Sequence, residues 1–278
     1  APVRWLTLGE HLPVPHSGEP TMSPSPSFSR LAVVPLFAVC MTVSAAEVSV
    51  IEPHSKPVIS GKEVDWIYGD YLMKNDHISV IIAAPLPTRD ANLTVRNIGG
   101  SILDLTLNHP SNDQLSAYIP TAGRYLFQDR SKLKTGRDGD AVFWECRSSR
   151  TIAKNGTTAT VRYQLGDNDP YVQAIVSVEG DETKAIPAFD GVRADGWFSF
   201  DSTDATAYCT VAFFRQTIGF KCPEPSQSPT WKKGRPQQLR YTDGQIERAD
   251  RMIKWTLRLY PATSPVDLVS VAELSDVL

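Results

Sequence analysis

Histidine is scarce in this 278-residue chain: there are five, and none lies beyond His109. Chemistry that uses several imidazoles as acids, bases or ligands has little to draw on in the second half. Cysteine is scarcer, four in all, and no two are spaced as C-x2-C. Zinc centres need such close pairs, so no metal and no cofactor is expected. Neither charge dominates, with 28 Lys and Arg against 31 Asp and Glu. That balance excludes a broadly basic nucleic-acid binder. Neither a G-x-x-x-x-G-K-[ST] phosphate loop nor a G-x-S-x-G nucleophile elbow occurs. No apolar run approaches the roughly 20 residues of a membrane-spanning helix.

The apolar run that does exist is short and placed early. Residues 31–43 read LAVVPLFAVCMTV, preceded by Arg30 and followed by Ser44-Ala45-Ala46 and acidic Glu47. A positive charge, a short apolar stretch and small residues in that order form an export leader, cut after Ala45 or Ala46. Met22 opens the pattern, so residues 1–21 are read as an upstream extension and 22–46 as the leader. The expected location is periplasmic or extracellular, with no membrane span after cleavage. Three cysteines then remain: Cys146, Cys209 and Cys222. An oxidising compartment permits one bridge. Cys209 and Cys222 flank two apolar stretches around Ile218-Gly219, and a turn there would pair them; three free buried thiols is the other arrangement.

Residues 47–262 alternate with a period of two. Ala159, Val161, Tyr163 and Leu165 share one face, with Thr158, Thr160, Arg162 and Gln164 on the other. Val172 to Val178 repeats the pattern after a Gly-Asp-Asn-Asp-Pro turn, and Ile253 to Leu259 does so again. Apolar runs at 78–84, 93–98, 102–107 and 208–214 read as strands buried on both faces. A dozen short strands with almost no helical period predict an all-β fold, one large antiparallel β-sandwich. Ser264-Pro265-Val266-Asp267 starts a short C-terminal helix over 263–278, or a linker to a further domain.

Two stretches carry a resemblance. Residues 65–82, DWIYGDYLMKNDHISVII, resemble an opening found in large secreted proteins of planctomycete-type bacteria. Residues 95–105, VRNIGGSILDL, resemble the strand–glycine turn–strand of galactose-mutarotase-like supersandwiches. The resemblance implies a supersandwich whose ligands lie on a concave sheet face and its bordering loops, and a carbohydrate or polysaccharide as partner.

By that placement the candidate ligand residues are His109, Asp113 and Arg124, in the loops after the glycine turn, with Asp195 and Trp197. The last two belong to residues 189–201, FDGVRADGWFSFD, where an aromatic face and charged groups could grip a sugar. Trp197 could equally be core. The basic segment Trp231-Lys232-Lys233-Gly234-Arg235 could hold an acidic glycan, or form a solvated loop. Asp167-Asn168-Asp169 begins like a calcium loop, but Val172 and Val178 stand where the glycine and glutamate belong. No catalytic centre is expected. The reading is an exported module that binds carbohydrate or serves a structural role; a sugar epimerase or polysaccharide lyase is the alternative.

Overall fold

A computed structural model describes residues 45–264, apart from 55–56, 58, 92–94, 152–155, 181–187, 195–198, 204–205, 212–213, 224–229, 233–235 and 243–244. The leader up to residue 44, the C-terminal segment from residue 265, Asp195 and Trp197 therefore lie outside the described residues. Two antiparallel sheets face each other, as the alternation predicts. The first runs β1 (Glu47–Val50), β2 (Tyr71–Lys74), β3 (Ile78–Ile82), β4 (Ile102–Leu107), β5 (Leu115–Ile119), then β12 (Phe189–Ala194), β17 (Gln237–Arg240) and β16 (Thr230–Lys232). The second runs β13 (Ser199–Thr203), β14 (Thr206–Val211), β15 (Gln216–Lys221), β19 (Met252–Ala262), β11 (Val172–Glu179), β10 (Thr158–Gly166), β8 (Ala141–Arg147) and β7 (Leu133–Asp138). β18 (Ile246–Ala249) adds to β19, and β6 (Tyr125–Leu126) pairs with β9 (Arg150–Thr151) as a separate ribbon.

The alternating residues of β10, β11 and β19 point into one core with Met73, Val80, Leu105 and Tyr118 from the first sheet. Asn75, in the turn joining β2 and β3, ties the sheets together. Its Oδ1 accepts from the amides of His77 and Ile78, while its Nδ2 donates to Gly166 O and Asp169 O across the sandwich.

The sheets differ in their outer faces. β3 is buried along its whole length because Ile51, Ile59 and Trp66 cover Leu72 and Ile81, and Val95 and Ile98 cover Leu103 and Ala117. Strands with both faces covered read as unbroken apolar runs. The second sheet keeps polar residues outward along β10 and β11.

Two expectations are corrected. Residues 95–98 form no strand: they are a loop over the first sheet, and only the second half of the glycine-turn motif, β4, pairs. Cys209 and Cys222 are free, as is Cys146. Ile218 and Gly219 sit inside β15 opposite Cys209 and Tyr208, and the chain turns instead at Phe214-Arg215, where Arg215 adopts φ 51°. Cys222 thus lies four residues beyond the position facing Cys209, about 13 Å along the strand, far outside bridging range.

Candidate functional site

Among the described residues, the candidates His109, Asp113 and Arg124 do not converge. Asp113 and Arg124 stand at opposite ends of β5, and His109 is exposed in the loop ahead of it. Arg124 is exposed with its guanidinium 5.5 Å from the Phe189 ring centroid. Asp113 is wholly buried. Its Oδ1 accepts from Leu105 N at 2.9 Å, and its backbone joins Ser60, Lys62 and Glu63. These contacts make Asp113 a clamp that holds residues 60–63 to the sheet edge, out of reach of a ligand.

Among the described residues three further carboxylates are buried, and each organises backbone. Asp104 Oδ1 accepts from Asp65 N at 2.9 Å. Asp70 receives Arg89 Nη2 at 2.7 Å and the amides of Ile67 and Ala84, while Arg89 also donates to Asp65 O. Asp190, on β12, accepts from Tyr118 Oη at 2.7 Å, Tyr241 Oη at 2.6 Å, Trp255 Nε1 at 3.0 Å and Thr121 N at 2.8 Å. Burial raises the Asp190 carboxyl pKa and the four donors oppose that rise. Asp190, Tyr118 and Trp255 expose at most 2% of their surface, so the network braces the two sheets and offers no site.

The three described thiols offer no nucleophile either. Burial pushes Cys146 and Cys222 up to about 12 and Cys209 further in the same direction. A thiol so rarely ionised is inert. Among the described residues no three His, Cys, Asp or Glu side chains are grouped to hold a metal.

A cleft of about 730 Å³ opens on the outer face of the second sheet. It is lined by Lys132, Lys134, Glu145 and Arg147, with the Ser148-Ser149 and Gly156-Thr157-Thr158 segments and Thr160. Strand register explains the gathering. Lys134 faces Glu145, and Arg147 faces Thr160, so alternate positions of β7, β8 and β10 project side by side.

The charges in the cleft are unequal. Glu145 is engaged by Arg162 at 3.2 Å, and Arg147 reaches Glu179 at 3.3 Å. Lys132 Nζ donates to Ser148 O at 3.2 Å, and Lys134 is exposed with no partner among the described residues. With Glu145 and Arg147 each paired to a residue outside the lining, Lys132 and Lys134 leave the recess positive and rimmed by hydroxyls. Lys132 belongs to a 3-10 turn, Arg130–Lys132, whose other end donates from Arg130 Nη2 to Gly69 O at 3.1 Å. Beside Gly69 are Ile67 and Tyr68, each about half exposed, with Trp66 and Tyr68 rings 5.9 Å apart. One short turn therefore joins a cationic cleft to an exposed aromatic loop.

The sequence reading missed these residues. Thr158, Thr160 and Arg162 were legible as an outward face, but which strands flank β10 depends on register across distant segments. The basic segment is divided: Trp231 packs against Phe220 at 6.3 Å, Lys232 is exposed, and 233–235 lie outside the described residues.

No family model and no curated protein matches this chain. Among solved structures it is similar to a TPR-domain containing protein from Parabacteroides distasonis ATCC 8503, at 14% identity and a TM-score of 0.48. That similarity covers 72% of this chain and spans about half, 48%, of the other.

Proposed function

We propose that the chain is an exported β-sandwich module that binds an acidic polysaccharide on the outer face of its second sheet, without a catalytic centre of its own. The observation that carries this reading is the cleft with Lys132, Lys134 and Arg147 around threonine and serine hydroxyls. Cations make charge-assisted bonds to carboxylate or sulfate groups, and hydroxyls exchange hydrogen bonds with sugar hydroxyls. The Trp66–Tyr68 loop supplies an apolar surface for a sugar face. Export rests on the leader pattern at 22–46 and on the small residues that end it. An epimerase or lyase needs an acid and a base at its site. The cleft lining holds no histidine, and its Glu145 is tied to Arg162. Hence binding is the reading we favour.

The test compares retention on an immobilised polyuronate and a sulfated galactan with retention on a neutral glucan. The acidic polymers should bind, and affinity should fall as salt rises. Lys134→Glu should weaken binding about tenfold or more, since a charged contact contributes roughly 1.5–3 kcal/mol. Its melting temperature should stay within a few degrees of the parent's, because Lys134 is exposed and an opposed like-charge pair with Glu145 costs about 1 kcal/mol at most. Equal retention on the neutral glucan, or full retention by Lys134→Glu, would sink the assignment.

A further inference from the structure

Ala46 is held more firmly than a residue at the edge of a sheet needs to be. It is 3% exposed and packs in the main core, whereas Ala45 before it and Glu47 after it are exposed. Its N–H donates to Asp167 Oδ1 at 2.7 Å, and its carbonyl accepts from Arg137 Nη2 at 2.6 Å. Arg137 Nη1 closes the triangle on Asp167 Oδ1 at 3.0 Å. Both clamp residues come from elsewhere: Arg137 from β7, and Asp167 from the turn after β10. The clamp sits at the end of the leader pattern, where small residues permit cleavage on either side of Ala46.

We propose that the chain is cut between Ala45 and Ala46, and that the new α-ammonium of Ala46 is seated on the Asp167 carboxylate, braced by Arg137. The inference rests on the export reading and fixes the cleavage position within it. Cleavage is hydrolysis by a leader peptidase. Water supplies the oxygen that makes Ala45 a carboxylate and the two protons that convert the Ala46 amide nitrogen to an ammonium. Cutting one residue later would delete both Ala46 bonds and its buried methyl. Cutting before Ala46 keeps all three and turns an amide–carboxylate hydrogen bond into an ammonium–carboxylate ion pair. The amide of Ala46 is already the main cause holding the Asp167 carboxyl below the usual carboxylate range. The charged groups facing this nitrogen are Asp167 and Arg137, with the Glu47–Lys74 pair next along β1.

The experiment expresses the full chain with its own leader in a bacterial host and sequences the amino terminus of the exported protein. It then measures acylation of the α-amine at pH 7 in the parent and in Asp167→Asn. A terminus at Ala46 is expected. The amine in Asp167→Asn should react roughly three- to tenfold faster, since one pKa unit changes the free-amine fraction tenfold. The asparagine keeps the acceptor oxygen and removes only the charge. A terminus at Glu47 overturns the inference and leaves export standing. An uncut chain in the cytoplasm overturns the export reading itself. A terminus at Ala46 with equal acylation rates overturns the seat on Asp167.

Discussion

Asp104 and Asp113 meet beneath residues 60–65, both removed from water, and each keeps one carboxylate oxygen without a backbone donor. A proton held between them completes both. Burial is the largest cause raising both carboxyls, Asp104 to about 7; the charge of Asp104 raises Asp113 further, while the hydrogen bond from Asp113 partly offsets the rise of Asp104. Because the folded pKa lies above the unfolded value, folding takes up a proton here. The resulting stability is fully present below about pH 4 and is lost as pH rises through 7. Asp104→Asn keeps an oxygen for Asp65 N and an NH2 group for Asp113. The melting temperature of the parent relative to Asp104→Asn should therefore fall by several degrees between pH 5 and pH 8. Parallel melting profiles for the two proteins would contradict the shared proton. In the sequence Asp113 reads as a polar loop residue, and that much is correct. Its burial arises from the passage of residues 60–63 across it, about 50 positions away, which no local pattern encodes.

Strand identity is legible wherever one face is wet. The period-two pattern of β10, β11 and β19 survives because solvent on the outer face forces polar residues there. Runs buried on both faces lose the period, and then turn chemistry must decide. It misleads at Ile218-Gly219, where the glycine sits inside a strand, and at 95–98, where a glycine pair ends a loop. Gly99 is required by close approach: a Cβ there would lie 2.1 Å from Phe127 O. Gly139, in the β7–β8 turn at φ 62°, has open space around it. Gly99→Ala should therefore cost about 3 kcal/mol, as overpacking against backbone does. Gly139→Ala should cost only about 1 kcal/mol, for its backbone conformation. Denaturant midpoints of the two variants check this order, and equal losses would contradict the close approach of Gly99 to Phe127.

At the scale of the molecule, the sandwich is asymmetric in what it leaves open. The first sheet has both faces of β3, β4 and β5 covered by its own loops, and its buried charges are spent on holding them. The second sheet leaves the outer side of β7, β8 and β10 to solvent, and there the cations collect. A chain with a formal net charge of −3 would repel a polyanion on average, so binding must be focused in that recess. The period-two alternation predicts the fold class, yet this local reversal of sign is invisible to composition. Amide hydrogen exchange of the whole exported protein, with and without saturating polyuronate, tests the central claim most directly. The account predicts added protection at residues 132–134, 145–149 and 156–160. Protection confined to 109–124 or 231–236, or none anywhere, would contradict it.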